Sequence, residues 1–126
     1  MSIPNYSQVV RTTGGVETKR AVINCNSNAA AGNELIAAVT GKKICVLSMT
    51  LVAAGAVTAT FYSDAANAAG PIAIRGPMAL AANVGLRESA PATPECHEIE
   101  TRAGKSLVLL LSAAVQVGGS ILYYEE

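Results

Sequence analysis

Residues 44–63 read ICVLSMTLVAAGAVTATFYS, twenty residues without a charge between Lys43 and Asp64, which is the length of a helix that crosses a bilayer. A membrane helix is apolar around its whole circumference and rich in Leu, Ile, Val and Phe. Here Ser48 and Thr50 stand two apart, Thr58, Thr60 and Tyr62 repeat that spacing, and Ala53-Ala54-Gly55-Ala56 lies between them. Side chains two apart share one face of a strand, so Cys45, Leu47, Met49 and Leu51 are expected on one face, with Ser48 and Thr50 on the other. Val57, Ala59 and Phe61 repeat the pattern. Thr, Val and aromatic content favours strands, and the small-residue break favours a turn. The stretch is therefore expected to be two strands and not a membrane span. If the two pair directly, matching polar faces place Thr50 opposite Thr58 or Thr60 across an odd-numbered loop containing Gly55. If they belong to opposite sheets, that register does not apply.

The chain has 126 residues, enough for one domain with a core that needs no metal or disulfide staple. Hydrophobic residues make up 51%, but much of this is Ala, and only four Tyr and one Phe are aromatic. Small side chains suit closely approaching sheets better than a ligand-sized cavity. Nine basic residues balance nine acidic ones and form no stripe, which argues against a nucleic-acid partner. The opening MSIPNYSQVV shows no basic region followed by an apolar core, so no secretory signal is expected. Cys25, Cys45 and Cys96 are odd in number and lack CxxC spacing. They are expected to be three free thiols, made in a reducing cytoplasm and behaving as small hydrophobes.

Short strands and turn residues alternate along the chain. Residues 1–17 contain Pro4 and Gly14-Gly15 and are expected to form an extended N-terminal arm, leaving 18–126 as a single domain. Strands are expected at 19–26, 34–40, 43–52, 56–62, 72–75, 78–80, 84–87, 95–101, 106–112 and 120–124. Residues 64–70 and the proline pair of 90–94 read as loops, and Arg102-Ala103-Gly104-Lys105 and Val117-Gly118-Gly119 as turns. No window holds a helical period. About eight strands at this spacing indicate an all-β fold, an antiparallel β-sandwich with a jelly-roll-like topology. Leu107-Val108-Leu109-Leu110-Leu111 is apolar on both faces, which marks either a central strand under a loop or a strand covered by another subunit.

Few residues carry the marks of chemistry. Gly104-Lys105-Ser106 echoes the end of a phosphate loop, but Ile99 stands where that motif needs Gly, and a strand follows instead of a helix. Glu98 and Glu100 share a strand face with Arg102, the pattern of a solvated face more than of an acid–base pair. Cys96-His97 lacks the paired ligands of a structural zinc site. His97 and Asp64 are the only His and Asp, and there is no GxSxG. No enzyme activity, cofactor or metal is expected.

The stretches GNELIAAVTGKKICVLSMTLVAAGAVTATFYSD, GPIAIRGPMALAANVGL and ETRAGKSLVLLLSAAVQVGGSILYYEE resemble the small β-sandwich virion proteins encoded beside structural genes in tailed bacteriophages. The resemblance covers roughly residues 32–124, and Cys96-His97 stands where similar sequences often have an aromatic residue. It implies a head decoration or cement protein that binds the outer capsid surface. It also implies the major capsid protein as partner, a virion location after synthesis in the host cytoplasm, no membrane, and a homotrimer at local threefold positions. Ile3, Tyr6, Val9 and Val10 of the arm, with Val108 and Leu110, are the candidate subunit or capsid contacts. The alternative is a tail or fibre module recognising host-surface glycans, for which only Tyr6, Tyr62, Tyr123 and Tyr124 could stack on a sugar.

Overall fold

The computed structural model describes residues 7–13, 16–70, 72–88 and 99–126. Its elements are all strands: β1 (Ser7–Thr13), β2 (Val16–Cys25), β3 (Asn33–Ile36), β4 (Ile44–Ala53), β5 (Val57–Ser63), β6 (Ile72–Leu80), β7 (Gly85–Glu88), β8 (Leu107–Leu111) and β9 (Val117–Glu125). They form a five-stranded sheet in the order β1-β2-β9-β4-β7 and a four-stranded sheet in the order β3-β8-β5-β6. Every pairing within them is antiparallel. The chain is an all-β sandwich. Among the described residues no helix is long and apolar enough to cross a membrane.

The charge-free stretch becomes β4 and β5, and the two lie in opposite sheets. Ala54, Gly55 and Ala56 carry the chain across, so the register of a direct pair does not arise. The face assignment of β4 needs a correction. The register against β9 shifts between Val46 and Ser48, and such a bulge reverses which side chains face inward. Ile44 and Val46 join Met49, Leu51 and Ala53 in the main core, while Cys45 and Leu47 form a separate buried cluster with Tyr124.

The core fills the space between the sheets. Ile23, Leu51 and Ile121 from one sheet meet Phe61, Leu109 and Leu111 from the other, each at most 2% exposed. Burial of such a side chain stabilises by about 1.5–3 kcal/mol. β8 is a central strand whose side chains are buried apart from the half-buried Leu110. Its outward Val108 is covered by the chain's own loop, because a Cβ placed on Gly32 would fall 2.5 Å from Val108 Cγ1.

Of the expected arm, Ser7–Thr13 form β1, and Val16 and Glu17 begin β2. β1 pairs with β2 from Ser7↔Ala21 to Thr13↔Val16 and extends the sheet by one edge strand. β6 is one strand where two were expected. Pro77 is tolerated because β6 is an edge strand among the described residues. Val117, Gly118 and Gly119 are not a turn but the first third of β9. The strand expected over 95–101 lies mostly outside the described residues. Its end survives as an isolated bridge between Cys45 and Glu100.

The expectation of three free thiols fails. Cys25 is free and buried, and burial pushes its thiol pKa up. Cys45 is disulfide-bonded, its partner lying outside the described residues. A cystine persists in oxidising surroundings, including the surface of a virion. The step from an odd cysteine count to a reducing compartment therefore falls.

Candidate interaction surfaces

Three connections cross between the sheets at one end of the sandwich. They are residues 54–56 (β4 to β5), 81–84 (β6 to β7) and 112–116 (β8 to β9), with 26–32 (β2 to β3) leaving from the same end at Cys25 and running back over the outer face of β8, where Ala31 C=O accepts from Ala66 N–H (3.0 Å). Their common position follows from register, since Cys25, Val117 and Ala53 lie side by side in one row, and Val52 faces Gly85. The loops brace one another through backbone hydrogen bonds. Ala54 N–H donates to Gln116 C=O (2.8 Å), Ala53 N–H to Val84 C=O (3.2 Å) and Asn83 N–H to Ala53 C=O (2.8 Å). Ser112 Oγ accepts from Thr58 N–H (2.8 Å), and Gln116 Nε2 donates to Asn24 Oδ1 (2.8 Å). Asn83 sits at φ 63°, a left-handed conformation that Asn tolerates. None of these four loops contains Asp, Glu, Lys or Arg.

The opposite end is charged. Residues 37–43 and 101–106 meet there, with Gly104 N–H donating to Lys42 C=O (2.8 Å) and Ile44 N–H to Thr101 Oγ1 (2.9 Å). Lys43 Nζ lies 3.6 Å from Glu100 and 3.7 Å from Glu126, and Lys105 lies 3.4 Å from Asp64. The Ala65 N–H, and then Lys105, hold the Asp64 carboxyl below the usual value. A hydrogen bond from Lys19 to Glu125 raises the Lys19 pKa despite partial burial. The Lys105 once compared with a phosphate-loop lysine is thus an ion-pair partner at a strand entry.

The outer face of the five-stranded sheet holds a shallow depression of about 160 Å³ lined by Arg20, Ser48, Thr50, Ser120 and Leu122. Sites that engulf small molecules run to roughly 300–1,000 Å³, so this one fits a side chain at most. Among the described residues no three His, Cys, Asp or Glu side chains gather as a metal site.

Ile3 and Tyr6 lie outside the described residues. Val9 and Val10 belong to edge strand β1, with the register shifting between Val9 and Arg11. Val108 is 2% exposed and covered within the chain, while Leu110 is partly exposed. Val108 and Leu110 stand two apart on the outward face of β8. Tyr123 and Tyr124 are 2% and 5% exposed, too buried to stack on a glycan; Tyr62 is half-buried. The charge-free end is not visible in the sequence because its residues come from separate loops. The detectable signal was the lack of any charge in 26–32, 54–56, 81–84 and 112–116 at once. Compared with known protein families, curated proteins and solved structures, the chain finds no match.

Proposed function

We propose that the protein is a non-enzymatic structural component of a tailed-phage virion, a decoration or cement protein that coats the outer capsid as a homotrimer and stiffens the shell. The observation that carries this is the nested strand pairing. β5 pairs with β6, β4 with β7, β3 with β8 and β2 with β9, so that one folded-over hairpin is wound into two sheets. We read that winding, with β1 added at the edge, as a jelly roll, a fold common in capsid and lectin domains. Cross-braced loops at one end and ion pairs at the other make the body a stiff block, which is what cementing requires. Balanced charge permits dense coating without self-repulsion. A disulfide at Cys45 suits a protein that works outside the cell after release. The partner on this reading is the major capsid protein. The test is quantitative mass spectrometry of purified particles, followed by heating of shells that lack the protein. Copy numbers comparable to the major capsid protein and earlier shell rupture without it are expected. A few copies confined to tails, or none, overturns the reading.

A further inference from the structure

We propose that the charge-free end of the sandwich is the surface through which copies of this chain bind one another. The proposal adds a surface to the self-association assumed above, and it stands on the fold without the capsid reading.

All eighteen charged residues lie outside the four loops 26–32, 54–56, 81–84 and 112–116. With charged residues at 14% of the chain, an end built from four separate loops is not expected to be neutral throughout. Its exposed groups are small or apolar. Val84 is 48% exposed and the adjoining Val52 47%, and Ala54, Ala56, Ala81, Ala82 and Ala114 are also exposed. Interface centres are depleted of charge in this way. The polar groups there are Asn, Ser and Gln, and several already bond within the end: Ser27 Oγ accepts from Ala29 N–H, and Gln116 reaches Asn24.

A second copy is the occupant this surface fits. When a patch meets copies of itself about an axis, charges near the axis face like charges. A patch without charges escapes that repulsion in any cyclic arrangement. The loops 54–56, 81–84 and 112–116 supply twelve residues, to which the start of 26–32 adds, the scale of a small interface. The hydrogen bonds that tie 54–56 to 112–116 and Ala53 to 81–84 fix the surface before contact, which lowers the ordering entropy lost on association.

The experiment is light scattering and sedimentation of the full chain at low and high salt, repeated with Ala82→Lys and Ala114→Lys in two different loops and Ala103→Lys at the charged end. Thermal melts check that each variant folds. An oligomer at micromolar concentration, insensitive to salt, is expected. Ala82→Lys and Ala114→Lys should each raise the dissociation constant by roughly tenfold or more, since each forces an unpaired charge into the contact, and Ala103→Lys should leave it unchanged. A monomer at every concentration overturns the proposal, as does an oligomer indifferent to both loop substitutions or broken by Ala103→Lys. A protein that coats particles yet stays monomeric in solution would sink this proposal alone, while an oligomer absent from particles would sink only the capsid reading.

Discussion

Backbone hydrogen bonds join both ends of the sandwich, but among the described residues only one end adds ion pairs. At the neutral end, the loops at 54–56, 81–84 and 112–116 are joined by backbone hydrogen bonds and small side chains. At the other, Lys43, Glu100, Glu126, Lys105 and Asp64 form ion pairs over a buried Thr101. Both close the same two sheets. Sheet closure thus places no demand on charge, and the sequence is free to put its electrostatics at one end. Sensitivity to pH and salt should reside there.

The first test uses two glycines of similar backbone conformation. Gly32, in the neutral loop that folds back over β8, has φ +82° and a Cβ position 2.5 Å from Val108 Cγ1. Gly41, at the charged end, has φ +76° with nothing within 4 Å. Gly32→Ala should cost about 2–4 kcal/mol by urea denaturation, from strain plus overpacking. Gly41→Ala should cost about 1–2 kcal/mol, from strain alone. Equal costs would mean that the Gly32 loop moves aside and packs nothing.

Two threonines sharpen the picture of the charged end. Thr101→Val removes the acceptor for the buried Ile44 N–H and should cost about 1–3 kcal/mol. Thr18 is 2% exposed and its Oγ1 has no hydrogen-bond partner, so Thr18→Val should be neutral or stabilising by about 1 kcal/mol. A loss at Thr18 matching that at Thr101 would reveal a bond in solution that this geometry lacks.

The smallest effects concern pH. Lys19 has a raised pKa, so its contribution is complete below the ordinary value of 10.5 and disappears as pH rises through the higher folded value. Asp64 has a lowered pKa, so its contribution is present above 3.8 and lost as pH falls through the lower folded value. Urea midpoints should sag at both extremes, with Lys19→Met flattening the alkaline limb and Asp64→Asn the acid one. If charge substitutions in the neutral loops flattened these limbs instead, the division between the ends would collapse. Thiol titration of denatured, unreduced protein should meanwhile count one free thiol, Cys25, since Cys45 is already oxidised; three would remove the disulfide.

Alternation and turn chemistry made the strands around β4, β5 and β8 readable, because those signals are local. What could not be read depended on partners distant in sequence. The β4 bulge is defined against β9 and reverses the expected faces of Cys45 and Leu47. Gly118-Gly119 resembles a turn until β4 is placed beside it: a Cβ on Gly119 would lie 1.8 Å from the Thr50 carbonyl oxygen, so glycine permits the close approach of two central strands. Gly76-Pro77 resembles a break until β6 is known to be an edge. The charge-free end was present in the composition of four loops but invisible until topology gathered them.

The position of β9 also has a consequence for the order of assembly. β9 lies between β2 and β4 in the centre of the five-stranded sheet, yet it is the final strand of the domain to leave the ribosome. Until it emerges, β2 and β4 have no common neighbour and each presents an unpaired edge, while the hairpin of β5 and β6 can form early from local contacts. The sheet is completed from the inside, by a late-arriving strand inserted between two that have been waiting. A nascent or truncated chain lacking 117–125 would retain one potential sheet and expose the edges of the other, the condition that invites aggregation during synthesis.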